Sequence, residues 1–315
     1  MIKKLLIYNS GGGIGDSIHL FPLILSLENL FKKYEIYYLG AHENLYLGKL
    51  KDYNIKVKNL NLELKYFGFR WWHFFVTKKN FLKLNLGEFD LIIDCQSKLR
   101  NTIILKQIPS KAFYSSTFNN MFCHKLKLPA KEFWSSLKST NYDIKNIPKK
   151  YFDESARLLP DKNYIGFSLT QGNVYRKKEW PLDKVIKLSE ELVRNNKIPV
   201  FLIEKKYQEL KNKIKNSIPT ALFPEHETSF NSPALVTCLG TRLDLAITIE
   251  NGIMHMLSLS KVPIISLFGP TNAEKFAPKH KDSKVLDRKK ICNSKNVSDI
   301  TVEDVLQAVK QFVNF

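Results

Sequence analysis

The stretch "NSGGGIGDSIHLFP", residues 9–22, decides how the start of the chain folds. It follows the apolar run Leu5, Leu6 and Ile7, which is typical of a buried strand, and it leads into an amphipathic segment predicted to be helical over 17–33. Four glycines in this strand-to-helix turn indicate a loop that lets a ligand approach the backbone closely. The stretch therefore predicts the first strand, loop and helix of an α/β domain, with a site at the loop.

Strands and helices alternate along the rest of the chain, which favours parallel sheets. The further predicted strands are 35–40, 55–60, 91–93, 163–169, 198–204, 243–249 and 262–269, and the further predicted helices are 42–50, 181–196, 205–217, 252–260 and 301–313. The proline-marked segment 130–162 is predicted to be a connection with some helix. We predict two Rossmann-like α/β domains, residues 1–155 and 156–315, facing each other across a cleft. The last helix is a candidate to pack back on the first domain.

The composition limits the classes of function. The formal net charge is +19, from 49 Lys and Arg against 30 Asp and Glu, and such a field attracts nucleic acid, anionic lipid or phosphorylated substrates. A compositional habit of the source organism would give the same excess of lysine. The four cysteines contain no C-x-x-C pair and the seven histidines show no ligand spacing, so we expect no disulfide framework and no bound metal.

No apolar run approaches the length of a membrane span, and the apolar residues near the N-terminus are too few for a signal peptide. We therefore expect a cytoplasmic protein.

The glycine loop matches neither common nucleotide motif. Gly11 and Gly13 begin a G-x-G pattern, but Asp16 follows where a Rossmann fingerprint needs its third glycine, and the loop lacks the G-K-[ST] of a P-loop. The Asp16 carboxylate would stand at a helix N-terminus, where a phosphate would otherwise bind, and it is a candidate general base for a hydroxyl. The alternative is that Asp16 simply caps the helix.

Two clusters in the second half suit a diphosphate. In "GFSLTQGNVYRKKEWP", residues 166–181, a strand ends in Ser168, Thr170 and Gln171, and Arg176, Lys177 and Lys178 follow. Hydroxyls, amides and cations at the carboxyl end of a strand can bind a diphosphate. The alternative is a solvated basic loop.

In "ITIENGIMHMLSLSKVPIISLFGPTN", residues 247–272, a strand delivers Glu250 and Asn251 to a turn. The helix that starts at Gly252 and Ile253 would direct its first amides toward an anion. His255 lies in its first turn, either as a ligand contact or as a packed, hydrogen-bonded histidine.

These motifs together resemble glycosyltransferase family nine, the ADP-heptose:lipopolysaccharide heptosyltransferases. "GDSIHLFP", "FDLIIDCQSKLRN", "KEWP", "ENGIMH" and "LFGPTN" follow the order and spacing of that family's motifs over most of the chain. The chain departs from the family pattern at Glu250, where Asp is usual, at Asn251, where Ser or Thr is usual, and at "QSKL", which replaces "QGLL". The segments 66–85 and 280–300 have no counterpart that we can align.

The resemblance implies a GT-B fold and an inverting, metal-independent transfer of a sugar, by default heptose from ADP-heptose, to a lipopolysaccharide-core or other glycan acceptor. It implies no cofactor and no nucleic-acid partner. Asp16 would be the catalytic base and Lys178 the phosphate contact. The acceptor-side residues would be Gly12, Gly13, Gly15, His19 and Gln96. The donor-side residues would be Ser168, Thr170, Gln171, Lys178, Glu250, Asn251, Gly252, Ile253 and His255, with Glu209 and Asn231 as weaker ribose or base candidates.

Three other functions are compatible with parts of the sequence. A nucleic-acid-binding protein would use the positive charge and the basic, aromatic stretch 65–79, although no recognised nucleic-acid motif is present. A nucleotide-sugar epimerase can share the GT-B fold and would need no base on the glycine loop. A non-catalytic relative would account for the changes at Glu250 and Asn251.

The segment "LKYFGFRWWHFFVTKKNFLKLN", residues 64–85, has the composition of a membrane-surface element. Its aromatic residues include Trp71, Trp72, Phe74, Phe75 and Phe81, and its cations are Lys65, Arg70, Lys78, Lys79 and Lys83. It is a candidate for attaching the protein peripherally to an anionic membrane at the cytoplasmic face. The alternative is a helix whose aromatic side packs into the core.

Overall fold

The computed structural model describes residues 3–40, 44–64, 69–96, 98–138, 140–170, 178–292, 294 and 296–314. The chain forms two compact units, Met1–Tyr142 (the N-terminal unit) and Asp143–Phe315 (the C-terminal unit). Candidate residues Gln171, Arg176 and Lys177 lie outside the described residues.

The N-terminal unit is built on a five-stranded parallel sheet in the order β3-β2-β1-β4-β5. Its strands are β1 (Lys3–Asn9), β2 (Tyr34–Gly40), β3 (Lys58–Asn59), β4 (Phe89–Asp94) and β5 (Ser110–Ser115). Its helices are α1 (Ile14–Ile18), α2 (Phe21–Leu30), α3 (His73–Lys83), α4 (Leu99–Leu105) and α5 (Ala130–Ser136), with a 3-10 turn at Lys51–Tyr53. The central strand β1 is buried from Leu5 onward, and its Ile7 pairs with Tyr38 on one side and Ile93 on the other.

The C-terminal unit repeats this plan with the strand order β10-β9-β8-β6-β7, again all parallel. Its strands are β6 (Tyr164–Ser168), β7 (Ile198–Phe201), β8 (Leu245–Ile249), β9 (Ile264–Phe268) and β10 (Ser283–Asp287). Its helices are α6 (Lys149–Leu158), α7 (Leu182–Arg194), α8 (Gln208–Ser217), α9 (Pro233–Gly240), α10 (Gly252–Leu259), α11 (Ala273–Phe276), α12 (Arg288–Cys292) and α13 (Val302–Val309). Its 3-10 turns are Ile144–Asn146, Lys205–Tyr207, Pro224–His226 and Val297–Asp299.

The last helix, α13, packs against α7, β9 and β10 of its own unit. Its apolar face, including Val305 and Val309, joins the core that contains Trp180. The Trp180 indole Nε1 donates a hydrogen bond to the Ile300 carbonyl over 3.0 Å, which fixes the approach to α13. The buried stripe of α13 is thus used within the C-terminal unit, and the expectation that this helix packs back on the first domain stays a prediction.

The boundary between the units lies before α6, and not at 155/156 as the sequence suggested. Helix α6 packs on α9 of the C-terminal unit. Its Arg157 Nη2 donates to the Glu227 carbonyl over 3.0 Å, and the Thr228 hydroxyl donates to the Glu154 carboxylate. The apparent linker 130–162 therefore contains a helix that belongs to the second unit.

Two predicted helices differ from the observed structure for local reasons. The predicted helix 17–33 is divided into α1 and α2, because Pro22 lacks an amide hydrogen and is accommodated in the first turn of a new helix. The described part of the predicted helix 42–50 forms turns, since the Asn44 side chain accepts a hydrogen bond from the Tyr46 amide over 3.0 Å. Sequence periodicity also missed the edge strands β5 and β10, which are short and partly exposed.

Among the described residues, no helix has both the length and the apolar character to cross a membrane.

The contact between α6 and the turn at Thr228 predicts a pH-dependent contribution to stability. The Arg157 guanidinium, followed by the Thr228 hydroxyl, lowers the pKa of Glu154 to about 2. A carboxylate with a lowered folded-state pKa stabilises the fold above its unfolded pKa and loses that effect as the pH falls toward the folded value. Glu154→Gln should therefore destabilise the protein at pH near 7, and the deficit should shrink below about pH 4.5, in urea unfolding monitored by circular dichroism.

The matched control is Glu190→Gln, which changes an exposed acid on α7 and should leave stability unchanged at both pH values. An equal deficit for Glu154→Gln at neutral and acidic pH would contradict the assignment.

Candidate active site

The glycine loop holds the Asp16 side chain against its own backbone. Strand β1 ends at Asn9, Gly13 is the N-cap of α1, and Asp16 lies in the first turn of that helix. A Cβ atom at Gly11 would lie 2.8 Å from the Asp16 Cβ and 2.9 Å from its Cγ. Only glycine leaves room for the Asp16 side chain to fold back over this part of the loop.

This geometry differs, at one of the four glycines, from the expectation that they open the backbone to a ligand. At Gly11, the group that approaches the backbone is the Asp16 side chain itself. Asp16, Gly12 and Gly13 are exposed, so the carboxylate is presented to solvent from a short, well-defined turn. His19, the C-cap of α1, is also exposed, and its amide donates to the Gly15 carbonyl over 3.0 Å.

Gln96 ties the glycine loop to the end of the neighbouring strand β4. The Ser10 hydroxyl donates to Gln96 Oε1 over 2.9 Å, and Gln96 Nε2 donates to Asn9 Oδ1. The same Asn9 oxygen accepts the Gly11 amide over 3.0 Å. The predicted acceptor-side residue Gln96 therefore positions the loop, and its side-chain oxygen and nitrogen are both engaged.

The buried carboxylate of Asp94 supports this arrangement through hydrogen bonds. Asp94 Oδ1 accepts the Gln96 amide over 2.9 Å, and Asp94 Oδ2 accepts the hydroxyls of Thr102 over 2.6 Å and Ser115 over 2.9 Å. Burial raises the pKa of Asp94, and the hydrogen bonds oppose this shift. The sequence analysis did not assign Asn9, Asp94 or Ser115 to the site. For Asn9 and Asp94 the signal was available, since each is the polar last residue of a buried strand, whereas Ser115 ends the edge strand β5 that periodicity missed.

In the C-terminal unit, Asn251 connects the parts of the candidate donor-side turn through hydrogen bonds. Its Oδ1 accepts the Met254 amide over 2.9 Å and so caps α10. Its Nδ2 donates to Ser168 Oγ over 2.6 Å and to the Thr170 carbonyl over 2.8 Å. Ser or Thr could cap the helix but has no amide to bridge to the end of β6. The structure therefore brings three predicted residues, Ser168, Thr170 and Asn251, into direct contact.

Lys178 forms an ion pair with Glu250, in which Lys178 Nζ donates to Glu250 Oε2. Both side chains are largely buried, at 8% and 13% exposure. A buried charge must be paired, because leaving it unpaired in a low-dielectric environment is costly. The Glu250 carboxylate thus holds the ammonium beside the turn from which α10 begins.

The N-terminus of α10 completes this cluster. Gly252 and Ile253 are its first residues, and the first amides of a helix have no acceptor within the helix. His255 is buried in the same helix, and the Thr237 hydroxyl of α9 donates to the Met256 carbonyl over 3.0 Å. A cation and helix amides directed to one place can stabilise a negatively charged group.

The weaker candidates Glu209 and Asn231 are both exposed, Glu209 in the first turn of α8 and Asn231 just before α9. Glu225 follows a segment paired with β7 through Val200 and Leu222 and was not among the predicted residues. Burial, with a contribution from the Glu204 carboxylate, raises the pKa of Glu225 to about 7.

No group of three or more His, Cys, Asp or Glu side chains in the described ranges could hold a metal ion.

The family model for glycosyltransferase family 9 (heptosyltransferase) matches residues 116–305, well over half of the chain. The chain belongs to this family. The resemblance found in the sequence is thereby confirmed, and the match includes Lys178, Glu250 and Asn251. The glycine loop with Asp16 precedes the matched range. No curated protein matches the sequence.

Solved structures of the family share the fold. A family 9 glycosyl transferase from Veillonella parvula matches with a TM-score of 0.69 and 18% identity, covering 99% of this chain and 97% of that chain. E. coli ADP-heptose LPS heptosyltransferase II matches with a TM-score of 0.64 and 15% identity, covering 98% of each chain. E. coli heptosyltransferase WaaC with ADP matches with a TM-score of 0.63 and 14% identity, covering 98% of this chain and 97% of that chain.

These likenesses and the two parallel sheets confirm the predicted α/β, GT-B fold class. Membership of family 9 makes the protein a glycosyltransferase and favours this activity over the epimerase and nucleic-acid-binding alternatives.

The contact between Gly11 and Asp16 predicts the effect of a single methyl group. Gly11→Ala would place its Cβ against the Asp16 side chain and displace the carboxylate, since the two groups cannot share the space. Displacements of about 1 Å at a reacting group can cost about a hundredfold in rate, so we expect sugar transfer to fall by that order. Gly48→Ala is the control, because the nearest neighbour of its added Cβ, the Asn44 carbonyl oxygen, would lie at an ordinary 3.6 Å. Equal initial rates for the two variants would show that the Asp16 position is unimportant.

Proposed function

We propose that this family 9 enzyme transfers a sugar, by default heptose, from a nucleotide-diphospho-sugar, by default ADP-heptose, to a lipopolysaccharide-core or related glycan acceptor. The transfer inverts the anomeric configuration and uses neither a metal nor a cofactor. The observation that carries the proposal is the Lys178–Glu250 pair beside the start of α10, within the range that matches the family model.

The donor diphosphate would bind at this cluster. Lys178 supplies a positive charge that Glu250 already holds in position, and the amides of Gly252 and Ile253 supply oriented hydrogen-bond donors. As the sugar leaves, negative charge grows on the diphosphate, and a fixed cation and fixed dipoles stabilise that charge without reorganising. Asn251, Ser168 and Thr170 would keep the turn rigid through their mutual hydrogen bonds.

Asp16 would act on the acceptor. The acceptor hydroxyl oxygen attacks the anomeric carbon from the side opposite the diphosphate, and its proton passes to the Asp16 carboxylate. The bond between the anomeric carbon and the diphosphate oxygen breaks, and the nucleoside diphosphate leaves with the electron pair. The exposed position of Asp16 and the fixed conformation of its loop support this role, because a general base must reach the substrate hydroxyl.

The choice of donor and acceptor rests on the named relatives. The E. coli structures are an ADP-heptose LPS heptosyltransferase and a heptosyltransferase with ADP. By analogy we propose an adenine nucleotide donor and a glycolipid acceptor, and hence a protein that works in the cytoplasm at the inner face of a membrane.

The division of roles between the two units predicts distinct kinetic defects. Asp16→Asn should lower the transfer rate about a hundredfold or more while donor binding is nearly unchanged, because it removes only the base. Lys178→Ala should weaken donor binding, because it removes the diphosphate cation and leaves Glu250 unpaired. Steady-state rates and calorimetric titration with donor separate the two effects.

Glu132→Gln is the matched control for Asp16→Asn, since Glu132 is an exposed acid in the first turn of α5 in the same unit. It should leave both readouts unchanged. Loss of donor binding in Asp16→Asn together with normal binding in Lys178→Ala would reverse the assigned roles.

The proposed donor predicts a selective response to nucleotides. ADP and ADP-sugars should raise the melting temperature, because a ligand that binds only the folded state stabilises it. UDP and GDP compounds should have much smaller effects in the same thermal-shift assay. A response to UDP- or GDP-sugars and none to ADP compounds would refute ADP-heptose as donor while leaving the glycosyltransferase activity intact.

A further inference from the structure

Helix α3 and the two residues before it expose an unusually large apolar surface. We call this surface the α3 patch; it consists of Trp71, Trp72, Phe74, Phe75, Val76 and Leu82. Phe75 is 81% exposed, and Trp71 and Trp72 are 55% and 53% exposed. By contrast, Trp180 is buried at 4% exposure. A contiguous exposed patch of large aromatic side chains marks an interaction site more often than chance exposure.

The buried side of α3 is separate from this patch. His73, Thr77 and Phe81, spaced four residues apart, form the buried stripe. Phe75 and Leu82 are seven residues apart and therefore share one line on the opposite side of the helix. The alternative of a helix whose aromatic side packs into the core is met on α3 by Phe81, and Phe74 and Phe75 are exposed. Most of the aromatic surface faces outward.

The helix is firmly attached to the N-terminal unit. The Phe81 ring packs 5.7 Å from the ring of Phe89 on β4, and Asn80 Nδ2 donates to the Leu62 carbonyl over 2.9 Å. Before the helix, the Phe69 ring stacks 4.9 Å from the ring of Tyr8 on β1. The patch is thus displayed by a fixed element and can insert as a unit.

The charge of the sequence segment that carries the patch has a single sign. Between Glu63 and Glu88 the sequence contains no Asp or Glu, and it contains five cations: Lys65, Arg70, Lys78, Lys79 and Lys83. Lys78, Lys79 and Lys83 are exposed on α3 beside Phe75 and Leu82. A partner for this surface must therefore combine negative charge with an apolar phase that accepts Trp and Phe side chains.

We propose that the α3 patch binds the surface of an anionic lipid bilayer. Trp and Phe side chains partition into the boundary between headgroups and acyl chains, and each Lys near an anionic surface adds electrostatic attraction. The proposal deepens the membrane location given under the proposed function by assigning the surface that contacts the bilayer, and its evidence is this surface alone.

The same charges argue against a second copy of the chain as the partner. An isologous dimer through the α3 patch would bring its lysines against their equivalents, with no carboxylate from residues 64–87 to pair with them. A single-stranded nucleic acid could also stack on exposed aromatic side chains. However, the side of α3 that carries Phe75 and Leu82 exposes aliphatic as well as aromatic surface, which favours lipid.

Binding through this patch would bring a membrane close to the glycine loop. Phe69, which stacks on Tyr8, lies two residues before Trp71, and Tyr8 is followed directly by Asn9 and the loop. The same strand end therefore supports both the α3 patch and the segment that presents Asp16.

The test is co-sedimentation of the full chain with vesicles of equal parts phosphatidylcholine and phosphatidylglycerol, at low salt. The parent should bind these vesicles and should not bind pure phosphatidylcholine. Lys78→Glu/Lys79→Glu should weaken partitioning at least about tenfold, because it reverses two charges. Phe75→Ala should weaken it about tenfold through lost apolar insertion. Circular dichroism should show an unchanged fold, since all three side chains are exposed.

Matched controls lie on the same unit. Lys32→Glu/Lys33→Glu makes the same change of charge at an exposed pair, and Phe118→Ala removes an aromatic ring that is 59% exposed. Both should bind vesicles much more like the parent than the α3 variants do. Equal sedimentation of the parent and the Lys78→Glu/Lys79→Glu variant would overturn the proposal.

Two further outcomes would also overturn it. One is a parent that is a dimer by analytical ultracentrifugation and becomes monomeric on Phe75→Ala. The other is tight binding of a single-stranded oligonucleotide, lost in the same variants, without vesicle binding. The proposal is supported if the Lys78→Glu/Lys79→Glu and Phe75→Ala variants lose vesicle binding but transfer sugar to a water-soluble acceptor fragment at the parent rate. That result would also show that the α3 patch is separate from the catalytic site.

Discussion

Both units depend on a central parallel strand that is buried on both sides, β1 in one sheet and β8 in the other. A parallel sheet returns the chain through helices, so all its strands end at the same edge. The chain can become polar only where it leaves the buried strand. Asn9 and Asp94 in the N-terminal unit, and Ser168 in the C-terminal unit, mark such ends. The candidate catalytic residues follow from this constraint, since they lie on the loops that begin there.

An asparagine performs a similar task after each central strand. Asn9 accepts the Gly11 amide and the Gln96 side chain, which fixes the glycine loop to the neighbouring strand. Asn251 caps α10 and reaches across to Ser168 and Thr170 at the end of β6. In each unit the charged group beside the asparagine is thus carried by a rigid turn, which is the arrangement that electrostatic stabilisation of a reaction requires.

The lysines of this strongly basic chain lie in two different environments. Lys178 is buried and paired, so it can act on a ligand only as part of the Glu250 cluster. The lysines of α3 are exposed beside aromatic side chains and have no acidic neighbour in the surrounding sequence. The same residue type therefore serves a compact ion pair in the C-terminal unit and an extended, single-sign surface in the N-terminal unit. The difference lies in the neighbours and the burial of each lysine.

The sequence by itself determined the two α/β halves, most central strands and the family, because apolar runs, glycine turns and ordered motifs are local signals. It also predicted Asp16, Lys178 and Asn251 as site residues, and these roles stay predictions. Only the tertiary structure decided that Asp16 fills the space above Gly11, that Asn251 joins two strand ends and that α6 belongs to the second unit. Each of these depends on contacts between residues that are near in space, and for Asn251 and α6 these residues lie roughly seventy to eighty positions apart. Periodicity could not decide the exposure of the α3 patch, because a helix rich in aromatic residues can bury either of its sides. The packing of Phe81 against Phe89 shows which side of α3 is buried.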